Sequence, residues 1–352
     1  MQATRMFLRF WVGAVCAAGM IACGGSDDAG AGAAQAGAGD AAAGNGKVFT
    51  IAMIAKSSTN PVFLSARTGA ETAAAELSKE LGTTIKINWL TPPSENAEMQ
   101  AQRIAQAVNS GANAILVSAS DAGKVTGAIN EAVERDVPVM MFDSDAPASK
   151  RFSFYGGDDE AMGRQVMAEL ATQMNGVGKI AIFSGSQNAP NLQRRVQGVR
   201  DEAKKHPGIT IVNTFNTIET PQDAAAEVLR AQRAYPEIQG WAMIGGWALF
   251  TRALLTDLDP TKVKIVSVDA LPVELAYVEA GLTPVLLAQP TYLWGYESVH
   301  TIVDHVYLHK PVPQHVQMEL VRVSKDNLGT WARQLEEWGY PDVDPKYLAL
   351  PN

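Results

Sequence analysis

Val48-Phe49-Thr50-Ile51-Ala52-Met53-Ile54, followed by Asn60-Pro61-Val62-Phe63 and an alanine-rich segment to Leu81, decides the fold. The first seven residues are a short apolar run that reads as a buried strand. Asn60 is a good N-cap and Pro61 suits the first helical position, so a helix is expected over 61–81. Thr84 to Leu90 reads as a second strand. Ala101, Ile104, Ala105 and Val108 then recur at i, i+3, i+4 and i+7, the period of a helix. Ala114 to Val117, Ala122 to Glu134 and Val137 to Phe142 read as strand, helix and strand. A βαβαβαβ run of this kind builds a parallel sheet covered by helices on both faces.

The pattern then begins again. Ile180–Ser184, Thr210–Thr214, Trp241–Ile244, Lys264–Val268 and Val285–Ala288 read as strands. Helical stretches separate them near Asn191–Lys205, Ala224–Ala234, Ala248–Leu255 and Pro272–Ala280. Two α/β units of similar build predict two lobes with a cleft between them.

Upstream of Val48 the chain has a different character. Arg5 and Arg9 form a basic start, Phe10 to Ala22 is uncharged and apolar, and Ile21-Ala22-Cys23-Gly24 supplies small residues at a cut. That is the layout of a secretory signal over residues 1–22. With cysteine directly after the cut it resembles a bacterial lipoprotein signal, although Met20 stands where leucine is usual. The resemblance implies lipid on Cys23. Of the 23 residues from Gly24 to Gly46, 17 are Gly or Ala. Such a segment has too little apolar surface to fold, so 23–46 is expected to be a flexible linker reaching about 25 Å.

Composition narrows the function. The signal carries two arginines and no acids, leaving 27 basic against 37 acidic residues. That balance argues against nucleic acid or an anionic membrane surface as partner. Cys16 lies in the signal, so the folded body is expected to have no disulfide and no thiol chemistry. No later run is long and apolar enough for a membrane span, leaving the N-terminal lipid as the membrane contact.

In open parallel sheets ligands sit beyond the carboxyl ends of the strands. Strand one leads into Ser57-Ser58-Thr59-Asn60, and strand four into Asp143-Ser144-Asp145. Ser184 leads into Gly185-Ser186-Gln187-Asn188, with Asn191, Gln193, Arg194 and Arg195 close behind. The later strands open into Gly245-Gly246-Trp247, Asp269 and Gln289. Carboxylates, amides, guanidinium and aromatic faces suit a polyhydroxylated neutral ligand, because each hydroxyl both donates and accepts.

These segments carry a resemblance that covers nearly the whole chain after the linker. Asn60-Pro61-Val62-Phe63, Asp121 to Ile129, Val137-Pro138-Val139 and Phe142-Asp143 resemble a ribose-type, type I periplasmic sugar-binding protein of ABC transporters. Gly157-Asp158-Asp159 with Gly163, Arg195-Val196-Gln197-Gly198, Val268-Asp269 and Ala288-Gln289-Pro290 complete the set. The resemblance implies an α/β fold of two Rossmann-like lobes with parallel sheets, joined by a three-stranded hinge crossed near Gly157, Pro290 and His315. One lobe would comprise 47–157 plus 290–315 and the other 158–289 plus 316–352. It implies ligand contacts at Asn60, Phe63, Asp143, Asp269 and Gln289, to which the strand-end reading adds Gln193 and Trp247. It further implies a monomer in the periplasm or cell envelope that closes on a sugar and passes it to an ABC permease. Ser144 stands where the ribose pattern has arginine, Val62 where it has an aromatic, and Gly245-Gly246 where it has Asn-Asp. These departures point away from ribose itself.

Each candidate has a plainer reading. Asp143 and Asp269 could cap helices, Phe63 could pack beneath its own helix, and Trp247 could be core. Asn191, Gln193 and Arg194 are rivals from one helix start. His305 and His309 are spaced for zinc, but no Glu follows His305, so a solvated helix is expected and no metal. Gly176-Val177-Gly178-Lys179 lacks the Ser or Thr of a phosphate loop, and no Gly-x-Ser-x-Gly elbow occurs. The reading is a binding protein without cofactor, not an enzyme. A sugar sensor that presents ligand to a membrane receptor is the alternative, and a carbohydrate-acting enzyme using Asp143 and Asp269 the third.

Overall fold

The structure, a computed structural model, describes residues 48–351. The signal at 1–22, Cys23 and the linker at 23–46 lie outside the described residues. The chain opens with β1 (Val48–Ile54), α1 (Pro61–Leu81), β2 (Thr84–Trp89), α2 (Ala97–Asn109), β3 (Ala114–Val117), α3 (Ala122–Glu134), β4 (Val139–Phe142) and β5 (Ser153–Gly156). It crosses to a second lobe of α4 (Asp159–Gln173), β6 (Gly178–Ser184), α5 (Pro190–Ala203), β7 (Ile209–Asn216), α6 (Pro221–Ala234) and β8 (Gly240–Met243). That lobe continues through α7 (Ala253–Asp257), β9 (Lys264–Val268), α8 (Leu275–Ala280) and β10 (Val285–Ala288). The chain then returns for α9 (Thr291–Ile302) and β11 (His315–Gln317), and ends in the second lobe with β12 (Val321–Val323), α10 (Leu328–Glu337) and α11 (Pro345–Leu348).

The two sheets share one plan. The first is ordered β11-β5-β4-β3-β1-β2 and the second β12-β10-β9-β8-β6-β7. The first is parallel throughout, whereas β12 runs antiparallel to β10. The chain therefore changes lobes after β5, after β10, and between Gln317 and Val321. The last change falls beyond His315, so Val316 and Gln317 sit in the first sheet.

Strand burial explains the all-apolar runs. Ile51 and Met53 enter one core of the first lobe while Ala52 and Ile54 enter the other, because successive residues face opposite sides of a sheet. In α1 the Asn60 side chain accepts the Val62 amide at 3.2 Å, and Gly82 ends the helix in left-handed backbone at φ 61°. Helix α1 packs on α9 with small residues at the seam. A Cβ at Gly69 would strike the Tyr292 carbonyl, and one at Gly295 the Ala66 carbonyl. The second lobe repeats this between α4 and α5, where a Cβ at Gly163 would strike the Arg195 carbonyl and one at Gly198 that of Glu160. Gly163 and Gly198, noticed in the sequence as marks of a family, are thus packing residues.

The solvated helix expected at His305 and His309 is absent. Val303–Tyr307 forms a π-helical turn, His305 stacks on Phe152 with ring centroids 4.3 Å apart, and His309 lies beyond the turn at φ 54°. Among the described residues no helix is long and apolar enough to cross a membrane.

Candidate functional site

The carboxyl ends of both sheets meet in one buried polar network. From the first lobe come Lys56 after β1, Ser118 after β3 and Asp143 after β4. From the second come Asn191 and Arg195 on α5, Asp159 on α4, Asp269 after β9 and Gln289 after β10. Asp143 and Asp269 adopt left-handed backbone at φ 56° and 78°, a conformation Asp tolerates better than most residues.

Asp143 joins the lobes. Ser118 Oγ donates to its Oδ2 at 2.7 Å, Asn191 Nδ2 donates to its Oδ1 at 3.3 Å, and Lys56 Nζ lies 3.7 Å from Oδ2. Lys56 Nζ also donates to Asn191 Oδ1 at 3.2 Å. The second lobe centres on Arg195. Its Nε donates to Asp159 Oδ1 at 2.8 Å, Nη1 to the Ile244 carbonyl at 3.2 Å and Nη2 to Gln289 Oε1 at 2.9 Å. Gln289 Nε2 in turn donates to Asp269 Oδ1 at 2.8 Å, and the Gly246 amide donates to Asp269 Oδ2 at 3.1 Å.

Charge is concentrated here with little water to screen it. Burial pushes the Asp269 carboxyl up, against the pull of Gln289 and Arg195. Burial and the neighbouring Asp269 push Glu274 well above the usual carboxylate range. Burial would lower Lys56, yet Asp143, Glu95 and Glu219 hold its ammonium above its ordinary value.

Outside this network a cleft of about 800 Å³ opens between the lobes. Ser57, Thr59, Asn60 and Glu95 line it from one side, Ser186, Thr217 and Glu219 from the other, with the partly buried Phe250 beside them. The network and the cleft together offer donors, acceptors and one aromatic face to a small polar molecule.

Of the residues read from the sequence, Asp143, Asp269 and Gln289 lie in the network, and Asn60 lines the cleft while its oxygen caps α1. The other three are placed elsewhere. Phe63 packs on Phe142 and Trp294 in the first core, with centroids 6.3 and 5.8 Å away. Trp247 is buried in the second core, its ring folded back beside Gly245. Gln193 is exposed and donates to the Gln187 carbonyl at 2.5 Å. Helix geometry is the reason: Asn191 and Arg195 are four apart and share a face, and Gln193 between them points away. Lys56 was missed although it stands only two residues beyond β1. Glu95 and Glu219 carry no strand-end signal, because each lies within the loop after an edge strand, β2 or β7, and not directly at the strand's end. Among the described residues no group of three or more His, Cys, Asp and Glu is arranged to hold a metal ion.

Comparison with known proteins agrees with this geometry. A family model described as "Periplasmic binding protein domain" matches residues 51–310. The ribose import binding protein of Bacillus subtilis is 25% identical over 159 residues, 45% of this chain and 50% of that protein. The chain spans 50 to 66% of the length of the curated relatives it matches. A solute-binding protein of an ABC transporter from Burkholderia graminis, solved with D-arabinose, superposes with a TM-score of 0.71 at 25% identity, covering 79% of this chain and 96% of that one. A glucose-galactose binding protein from Geobacillus stearothermophilus shares the fold with a TM-score of 0.72 at 23% identity, covering 80% and 99%. With its two like lobes, its chain crossing three times between them and its polar network at the strand ends, the protein belongs to the periplasmic binding protein family.

Proposed function

We propose that this chain is an extracytoplasmic solute-binding protein that captures a sugar or sugar-like polyol by lobe closure and delivers it to an ABC permease. The observation that carries the reading is the link from Asp143 of one lobe to Asn191 of the other. Polar groups that meet only when the lobes approach can be bridged by a ligand's hydroxyls, and a ligand that touches both lobes favours the closed state. The relatives support the ligand class, with a ribose import binding protein and a structure solved with D-arabinose among them. The site offers no nucleophile paired with a base, which supports capture without chemistry. The protein would act as a monomer, held to the envelope by lipid on Cys23, with Asp143, Asp269, Gln289 and Asn60 contacting ligand.

A thermal-shift panel of pentoses, hexoses and polyols tests the proposal, because a ligand that binds only the folded protein raises its melting temperature. A concentration-dependent rise with one class, and recovery of that compound unchanged, is expected. No shift with any member, or conversion of the compound, would overturn it.

A further inference from the structure

A second cavity, of about 540 Å³, lies where the chain crosses between the lobes. Every crossing borders it: Tyr155 of β5 at the first, Pro290 just beyond β10 at the second, Gln317 and Glu319 at the third. Glu297 of α9 closes it from the first lobe, and Trp331 and Trp338, within and at the end of α10, from the second. No residue of the cleft lining or of the polar network takes part.

Tyr155 points to what the cavity takes. It is only 4% exposed and lines the cavity, and its hydroxyl has no hydrogen-bond partner among the described residues. Burial first, then the nearby Glu297, pushes the phenol's pKa up, so it keeps its proton and is a donor without an acceptor. The half-buried Glu297 carboxyl is likewise without a hydrogen-bond partner among the described residues. A hydroxyl group answers both, accepting from the phenol and donating to the carboxylate. The indoles of Trp331 and Trp338 meet at 86°, and Trp331 Nε1 is already spent on the Ala270 carbonyl, so the pair offers an apolar corner to the C–H side of a ring. Glu297 and Glu319 line the cavity and no Lys or Arg does, which disfavours an anion.

The walls belong to different lobes and the crossings run between them, so any change in lobe angle reshapes the cavity. The shape described here accompanies the Asp143 to Asn191 contact across the cleft. A molecule that touches both walls therefore favours the arrangement in which the lobes meet.

We propose that this cavity is a second binding site, for a neutral hydroxylated ring such as a monosaccharide or cyclic polyol, and that filling it strengthens capture in the cleft. Occupancy of the cavity stands by itself, whereas its effect on the cleft rests on the sugar-binding reading above.

Hydrogen–deuterium exchange on the full-length protein tests this with D-glucose, D-xylose and myo-inositol at millimolar concentration, and with D-glucuronate as the anionic control. A double variant, Asp143→Ala with Asp269→Ala, weakens the cleft so that the cavity can be read separately. At least one neutral compound should protect both 290–302 and 316–338 in that variant. Adding Tyr155→Phe removes only the hydroxyl and should weaken the binding about three- to ten-fold. Thr330→Trp fills the cavity from an exposed position on α10 and should abolish it, with circular dichroism showing that the variants fold. The same two substitutions in the parent, which leave the cleft intact, repeat the comparison whether or not the double variant folds. There the bound compound should also tighten the cleft's hold on the sugar identified by thermal shift, and Tyr155→Phe should diminish that gain. No protection by any neutral compound, or protection unmoved by both substitutions, would overturn the second site and leave the sugar-binding reading standing. Equal protection by D-glucuronate would overturn the ligand class, and protection without a change in cleft affinity would overturn the coupling. A parent protein that responds to no sugar in the thermal-shift panel would instead overturn the sugar-binding reading, and the coupling with it.

Discussion

Asp143 and Asp269 occupy the same corner of the two lobes. Each directly follows the third strand in from the edge at which its lobe's sheet receives its final strand, each has positive φ, and each donates its amide to the adjacent strand, to Tyr155 O and Leu287 O respectively, at 3.0 Å. The backbone is turned at these two points so that a carboxylate stands at the sheet's end. Position and strain therefore come together, and substitutions can separate them.

Replacing Asp269 by Ala removes the carboxylate but keeps a β-carbon in left-handed backbone, which Ala tolerates less well than Asp, whereas Asp269→Gly removes the carboxylate and the β-carbon together. Both should weaken ligand binding roughly 10- to 150-fold, the loss of a charged hydrogen bond of about 1.5–3 kcal/mol. The Ala variant should be less stable than the Gly variant by about 1 kcal/mol. Calorimetry and denaturant melts read the two effects, and the same pair at Asp143 should behave alike. Unchanged affinity in all four variants would remove both residues from the site.

Arg195 is buried and satisfies Asp159, Gln289 and the Ile244 carbonyl at once. Arg195→Met strands Asp159 without its cation, and removing one partner of a buried pair typically costs about 3–5 kcal/mol. Arg195→Lys keeps the charge but lacks the planar fork that reaches three acceptors, so it should recover only part of the loss. Urea melts of the two variants decide this, and a Met variant as stable as the parent would contradict it.

The helix seams give a paired prediction. Gly163→Ala pushes a methyl group into the Arg195 carbonyl, and Gly69→Ala pushes one into that of Tyr292. Overpacking of this kind costs about 1–3 kcal/mol. Both variants should lose that stability, but only Gly163→Ala displaces the segment carrying Arg195 and Asn191. Ligand affinity is therefore expected to fall for Gly163→Ala and to hold for Gly69→Ala.

Stability should fall as pH rises. Burial and Glu95 push Glu219 from its ordinary 4.5 up to about 8, and burial raises Glu95 as well. Between those values the folded protein holds more protons than the unfolded chain. The stabilisation is thus complete below about pH 4.5 and is lost as pH climbs through 8. The melting temperature of the ligand-free protein should decline from pH 5 to pH 8, and Glu219→Gln should flatten that decline. The same slope in the variant would place the titration elsewhere.

How much the sequence revealed depends on what each segment packs against. Helix α1 could be read to the residue because Asn60-Pro61 starts it and a glycine stops it. Strands buried on both faces, such as Ala114–Val117 and Val285–Ala288, announce themselves as apolar runs. Ser153–Gly156 does not, since it contains a polar residue whose hydroxyl is satisfied only by the distant Pro313 carbonyl. Helix α9 was also hidden, because Thr291–Ile302 is aromatic and apolar with no steady polar face. At the site, Asp143, Asp269 and Gln289 were legible because each directly follows a strand, whereas Ser118, placed likewise after β3, and Lys56 were not, and choosing Asn191 over Gln193 required the start of α5 to be known to the residue.

The helix seam of the first lobe bears on how the molecule is made. Ala66 and Gly69 belong near the start of the folded body, and their partners Tyr292 and Gly295 arrive more than two hundred residues later. Between them the ribosome delivers nearly all of the second lobe. Domains generally fold in the order of synthesis, but here the lobe that begins first is finished after most of its neighbour. Until then α1 holds an uncovered stripe of alanine and glycine backbone. A nascent chain arrested before Tyr292 would therefore keep its first lobe incomplete, and one released just beyond Gln317 could close it.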